Sequence, residues 1–246
     1  VTTRRIDLAG ENSLEALVAG HGVIIHAAGR LEDPRTPTQV FERDNTRATE
    51  ALIAGAAATG CPRMINFSSM SVYGSINRDL VDERTPCRHP TPYGASKLAS
   101  ERALRDGVSK LSSISLRLPG IVGPHAHGNW LARCRLALRS GDPVSITNPD
   151  FRFNNTLHVE DLAGFIIALC GRTWSGAWAF PIGARMPMTI RDLIEAMKTT
   201  IGSMSTIDVS TDTRPPFAIS SDLAIREFGY QPVSVREVIN RFIADA

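Results

Sequence analysis

Three short apolar runs, each closed by a turn and separated by long helical stretches, constrain this chain more than any other feature. Gly22 to His26 (GVIIH) is a β-branched run that ends in Ala27, Ala28 and Gly29. Arg63 to Phe67 (RMINF) leads into the small-residue turn Ser68 to Ser71, and Ser113 to Leu118 (SISLRL) is broken by Pro119 and Gly120. Between them, Thr38 to Thr59 is Ala-rich, with apolar residues at Val40, Phe41, Ala48, Leu52 and Ile53, and it stops at Gly60 and Pro62. A second helix runs from Pro92 to about Asp106, and Gly107 ends it. Connections of this length join parallel strands, so the spacing predicts an α/β, doubly wound parallel sheet with helices on both faces. Ligands of such sheets bind at the carboxyl ends of the strands, which directs attention to the turns after His26, Phe67 and Leu118.

After Pro119 the texture changes. Pro124, Pro143, Pro149, Pro181, Pro187, Pro215 and Pro216 punctuate shorter elements. The expected organisation is a core over residues 1–118 and a smaller, interleaved substrate-binding lobe over 119–246, with about 154–170 returning to the core.

Composition narrows the function classes. The 246 residues carry 27 Lys+Arg against 25 Asp+Glu, a formal charge of +2 without a basic stripe, which argues against nucleic acid as a partner. Cys61, Cys87, Cys134 and Cys170 form no CxxC pair and read as reduced thiols. The longest apolar stretch, Leu162 to Cys170, falls far short of the ~20 residues that span a bilayer, and VTTRRIDLAG holds no apolar signal segment. The expectation is a cytoplasmic protein with no membrane partner.

Tyr93 and Lys97 lie four residues apart at the start of the second helix, PYGASKLASERAL, so both side chains leave one face. The chain has only three Tyr and three Lys, so the pairing is uncommon by chance. A phenol that titrates near 10 becomes a useful acid or base at neutral pH when a fixed cation favours its anion. Ser69, in NFSSMSVYG, sits in the turn where the sheet should hold its ligand, and its hydroxyl can orient both a reacting oxygen and a phenol.

HAAG, NFSSMSVYG, PYGASKLASE, LRLPGIVGP and LHVEDLA occur in the order and spacing of the extended short-chain dehydrogenase/reductases. The chain from about Asp7 to Tyr230 resembles the NAD-dependent epimerase/dehydratase family. The resemblance implies a Rossmann-like fold that is N-terminally incomplete, NAD or NADP as cofactor, and Ser69, Tyr93 and Lys97 as catalytic residues, with Tyr93 as acid/base and Lys97 also reaching the nicotinamide ribose. It implies cofactor-binding roles for Asp7 and Leu8 beside the adenine, Ala27 and Ala28 along the dinucleotide, and Pro119 beneath the nicotinamide. Asn45 resembles the family's architectural or proton-relaying helix asparagine, although Ala48 stands where a glycine is usual.

The departures are equally specific. No GxxGxxG occurs in the sequence, and the match begins near the end of the family's second strand. Two expectations compete: a fragment lacking roughly 40 to 60 upstream residues, or a short form with an open sheet edge that binds dinucleotide poorly. The Asp-Glu pair of the family's dehydratases is replaced by Met70 and Ser71, which disfavours water elimination. Gly120 stands where several UDP-sugar epimerases carry an Asn, Asn154 where they carry an Arg, and Arg214 resembles a second diphosphate-binding arginine. Gly120, Asn154 and Arg214 are therefore the substrate-binding candidates, beside Ser69.

His125 and His127 lack further ligands, so no metal is expected. His158 reads as a strand-to-helix junction residue, and Trp174 to Trp178 as packing of the second lobe. The implied function is epimerisation or reduction of a nucleotide-activated sugar or related carbonyl or alcohol. The alternative is a truncated, non-catalytic relative serving as an interaction or assembly subunit. Either would be a homodimer joined through a four-helix bundle of the helices at about 38–59 and 93–106.

Overall fold

The computed structural model describes residues 2–10, 14–210 and 215–245. The chain forms two compact units, one from Val1–Ser75, Pro86–Arg117 and Cys170–Phe180, the other from Ile76–Thr85, Leu118–Leu169 and Pro181–Ala246.

In the first unit the three apolar runs become strands of one sheet. Its order is Ile24–His26, Arg63–Ser69, Ser112–Leu118 and Ala177–Pro181. The first two run parallel, with Ile24 opposite Met64 and His26 opposite Asn66. Met64, Ile65, Ile114 and Leu116 are wholly buried, as expected of a sheet covered on both faces. One core on this sheet gathers Leu14, Val18, Leu52, Ala56, Met64 and Leu104.

The stretch read as a single helix from Thr38 to Thr59 is divided. An α-helical turn, Thr38–Phe41, passes through a π-helical turn, Glu42–Arg47, into the helix Ala48–Thr59. The widened turn leaves the Asn45 carbonyl to accept from the Thr49 hydroxyl at 2.7 Å and the Ser100 hydroxyl at 3.3 Å. Gly60 closes the helix in the left-handed conformation. Among the described residues Ile24–His26 pairs on one side only and forms an edge of the sheet. Ile25 there is 48% exposed, beside an apolar groove of about 290 Å³ lined by Leu8, Leu17, Val18, Ala27 and Leu52.

The second unit packs the helices Trp130–Ser140, Ile190–Ile201 and Val235–Ala244 around Leu131, Leu138, Leu193, Met197, Val238 and Phe242. Asn129, Thr189 and Ser234 cap these helices by accepting from backbone N–H groups three residues on. The strand Thr156–His158 pairs in parallel with Gly120–Val122 in a separate ribbon. The return to the core expected for 154–170 is thus made by Cys170–Phe180 and the strand Ala177–Pro181, which flanks Ser112–Leu118. Trp174 and Trp178 consequently belong to the first unit, with the Arg63 guanidinium 5.8 Å from the Trp174 ring. His158 is wholly buried and ties its strand to the last helix: Nε2 meets Asp245 at 2.8 Å, and Arg241 reaches Nδ1 at 2.8 Å.

Asn154, expected to meet substrate, is buried within the second unit and bonds backbone there. Its Nδ2 donates to the carbonyls of Ala184 (3.0 Å) and Ile219 (2.8 Å), and its Oδ1 accepts from the Ile219 N–H at 2.8 Å. The side chain is buried and its bonding capacity is committed to backbone. Asn154→Ala leaves these backbone groups without partners, so urea unfolding should show a loss of about 2–4 kcal/mol at unchanged denaturant slope. A loss below about 0.5 kcal/mol would contradict the assignment.

Candidate active site

The strand Arg63–Ser69 ends in a tight turn, Met70–Tyr73, whose first bond is the Ser71 N–H donating to Ser69 Oγ at 3.1 Å. The helix Pro92–Asp106 starts directly against that turn. Thr91 caps it, accepting from the Gly94 N–H at 3.2 Å, and Pro92 occupies the first helical turn. The approach depends on Gly94, because a Cβ there would lie 2.2 Å from the Ser71 carbonyl oxygen. Tyr93 is thereby delivered to Ser69, whose side chain is hydrogen-bonded to the phenol. Phe41 braces the Tyr93 ring edge-on at 5.9 Å.

Lys97, one turn further, is 8% exposed and donates from Nζ to the Phe67 carbonyl at 2.9 Å. Burial pulls its ammonium down to about 8. The phenol is not made more acidic in this state, contrary to the effect expected of a nearby cation. Burial raises Tyr93, the Ser69 hydrogen bond lowers it, the Glu32 carboxylate raises it, and the net direction is upward. The Lys97 amine donates to the strand carbonyl, and the Glu32 carboxylate adds to the upward shift of the phenol.

A cleft of about 730 Å³ opens at the end of the strand Ile24–His26. Asp7, Leu8, Ala28 and Gly29 line it, whereas Ala27 lines the apolar groove on the exposed sheet edge. Gly29 has φ 154°, and a Cβ there would sit 2.6 Å from Asn45 Oδ1 and 3.4 Å from Lys97 Nζ. A bare backbone beside a buried amine suits close approach by a dinucleotide, so the residues present fit that cofactor. Asn45 Oδ1 accepts from the Arg30 N–H at 2.7 Å and its Nδ2 donates to Ser96 Oγ at 2.9 Å. Asp7 is paired with Arg43, which also lines the cleft. His26, buried beneath, is pulled down to about 4 by burial and by Lys97, so it is neutral at pH 7.

Pro119, between the strands Ser112–Leu118 and Gly120–Val122, and Gly120 belong to the second unit; Arg214 lies outside the described residues. That unit has its own cavity of about 480 Å³, walled by Trp130, Phe151, Phe153 and Phe217 with Arg133 and Asn155. Asn155, missed in the sequence, lies on this wall, and its Oδ1 is buried with no hydrogen-bond partner in the structure. Both asparagines lie between the strands Arg152–Phe153 and Thr156–His158, where one is bonded to backbone and its neighbour lines the cavity. Among the described residues no group of three or more His, Cys, Asp or Glu could hold a metal ion.

Glu32 is the second residue the sequence did not disclose. Its carboxylate accepts from Ser71 Oγ at 3.0 Å and from Thr91 Oγ1 at 2.9 Å, tying both the Ser69 turn and the Tyr93 helix cap to the loop after the first strand. It lines both the large cleft and a smaller cavity of about 220 Å³ beside Tyr93. Since its negative charge opposes formation of the phenolate, Glu32→Gln should move the tyrosinate absorbance midpoint of Tyr93 to lower pH. Tyr73 and Tyr230 are likewise raised by burial, so the Tyr93 transition is identified by its loss in Tyr93→Phe. An unchanged or higher midpoint would show that the carboxylate does not act on the phenol.

A family model for the NAD dependent epimerase/dehydratase family matches residues 1–177. The chain is 26% identical over 225 residues to a dTDP-glucose 4,6-dehydratase of Streptomyces griseus, covering 88% of this chain and 68% of that protein. It is 24% identical over 254 residues to a UDP-glucose 4-epimerase of Azospirillum brasilense, covering 92% and 73%. Its fold is similar to that of the UDP-glucuronic acid 4-epimerase from Bacillus cereus in complex with NAD, with a TM-score of 0.84 at 19% identity, over 98% of this chain and 79% of that one. Among the described residues no helix is long and apolar enough to cross a membrane. With the matched region spanning well over half its length, the chain belongs to the NAD dependent epimerase/dehydratase family.

Proposed function

We propose that this chain epimerises or reduces a carbinol or carbonyl centre of a nucleotide-activated sugar, with Ser69, Tyr93 and Lys97 as its reacting groups. The observation that carries the reading is the close seating of the Tyr93 helix on the Ser69 turn at Gly94, one helical turn from a buried lysine whose amine borders the bare Gly29 backbone. Bound NAD or NADP supplies a hydride acceptor or donor. Tyr93 takes or gives the hydroxyl proton at its phenolic oxygen while Ser69 Oγ holds the reacting oxygen. Lys97 would hold the ribose of the cofactor with the donor it now gives to Phe67, and that move would bring its charge to the phenol. Ala28, Asp7 and Leu8 would line the dinucleotide.

Within the second unit, the aromatic-walled cavity suits a planar base, with Asn155 Oδ1 as an acceptor and Arg133 as a cation. Arg214 stays a candidate for the diphosphate. Related proteins act on UDP-glucose and dTDP-glucose, which makes those two compounds the first probes. Water elimination is not part of the proposal: Met70 and Ser71 exchange no proton at neutral pH, and both oxygens of the nearby Glu32 are occupied by hydroxyls. A cytoplasmic homodimer, paired through the helices at 38–59 and 92–106, is the accompanying quaternary proposal. The exposed edge strand Ile24–His26 favours one competing reading, a non-catalytic subunit that pairs with another chain there.

Cofactor stoichiometry decides among these readings. With UDP-glucose or dTDP-glucose, interconversion sustained by a trace of NAD identifies an epimerase, and NAD(P)H consumed mole for mole with product identifies a reductase. Absence of both with either sugar, in a chain that binds dinucleotide, favours the subunit reading. Lys97→Met should raise the dinucleotide Kd by roughly tenfold in calorimetry; an unchanged Kd would remove the ribose-holding role.

A further inference from the structure

Behind the Ser69–Tyr93 pair lies a buried polar cluster that the proton chemistry does not use. Glu101 follows Lys97 on the helix at the same four-residue interval that separates Lys97 from Tyr93. Its carboxylate accepts from Arg117 Nε at 3.1 Å and Nη2 at 2.8 Å, and from the Ser68 hydroxyl at 2.5 Å. Arg117 donates its remaining arm from Nη1 to the Tyr73 hydroxyl at 3.0 Å and lies 4.8 Å from the Tyr73 ring centroid. Glu101 is 7% exposed and Arg117 6%. Burial works against the charge on Arg117, yet its bonds to Glu101 and Tyr73 hold it above its ordinary value.

The attachment points of this cluster locate its purpose. Ser68 immediately precedes Ser69, and Tyr73 closes the turn Met70–Tyr73 that follows it. The Ser69 segment is therefore gripped on both sides, once through a carboxylate on the helix of Tyr93 and Lys97 and once through a guanidinium on the neighbouring strand. A buried ion pair returns little stability over an apolar pair of the same volume, because desolvation cancels most of the attraction. A bidentate guanidinium–carboxylate pair does fix distance and orientation, which is what two reacting groups on different elements require.

We propose that Glu101 and Arg117 are positioning residues that hold the Ser69 hydroxyl in register with the Tyr93 phenol through Ser68 and Tyr73. This rests on the reading of Ser69 and Tyr93 as the reacting pair, although the geometry of the clamp can be tested without turnover. Ser68→Ala and Tyr73→Phe each cut one tie and leave the ion pair intact, so the fold should survive, as thermal unfolding can verify. The Ser69 hydrogen bond favours the phenolate, so a loosened Ser69 should move the tyrosinate midpoint of Tyr93 upward. Glu32 and Lys97 are unaltered in both variants. In turnover, kcat should fall roughly tenfold with KM within about twofold of wild type. Should Ser68→Ala fail to fold, Tyr73→Phe carries the test alone, with one fewer tyrosine in the titration. Folded variants whose Tyr93 midpoint stays at the wild-type value would overturn the clamp. A wild-type chain inactive toward every nucleotide sugar, with a midpoint that still moves in the variants, would sink the sugar reading and leave the clamp standing.

Discussion

The seating of one helix start on one strand end, without an intervening side chain at Gly94, is the contact on which the site depends. It places a phenol carried by the helix beside a hydroxyl carried by the strand, two groups that the chain separates by more than twenty residues. Thr91 and Glu32 secure the exposed side of this joint, and Ser68, Tyr73, Glu101 and Arg117 secure the buried side. Any substituent at Gly94 would push the helix away from Ser71 and separate the pair before touching a ligand.

Around this joint the first unit buries a connected set of polar groups. His26, Asn45, Thr49, Ser96, Lys97 and Ser100 lie within it and satisfy one another, with His26 on the Thr49 hydroxyl at 3.1 Å and Asn45 on Ser96. Such networks are costly when incomplete and rigid when complete. Here the consequence is electrostatic as well: Lys97 sits where its charge is penalised, the neutral His26 adds no competing charge, and the phenol is held protonated. On the proposed reading a protonated phenol gives a proton and a phenolate takes one, so one tyrosine would serve both directions of a reversible oxidation.

Much of the architecture was legible because it is written in local pattern. The three apolar runs, the helix from Pro92 with its Thr-Pro start, and the Ser69–Tyr93–Lys97 spacing need only periodicity and capping chemistry to be read. The misread features all depend on distant partners. The π-helical turn at Glu42–Arg47 shifts the backbone without a compositional mark, since the residues it serves, Thr49 and Ser100, lie outside it. The return of Cys170–Phe180 to the first sheet was assigned to the preceding helix because a short strand rich in Trp reads as packing. Asn154 and Asn155 are adjacent asparagines between two strands, one bonded to backbone and the other on a cavity wall, and no local pattern tells them apart. Glu101 was recoverable in principle, as the next step of the Tyr93–Lys97 interval, but its partner Arg117 was not, because an arginine among 27 basic residues carries no signal until the strands are assembled.

The central claim is that the Tyr93 phenol moves the proton as a hydride leaves the adjoining carbon. Its most direct measurement is transfer of deuterium from UDP-glucose labelled at C4 of the hexose to the nicotinamide ring, followed by mass spectrometry in a single turnover. The account predicts label on the nicotinamide with the wild-type chain and its loss in Tyr93→Phe at undiminished dinucleotide binding. Label appearing at the wild-type rate in Tyr93→Phe would contradict it.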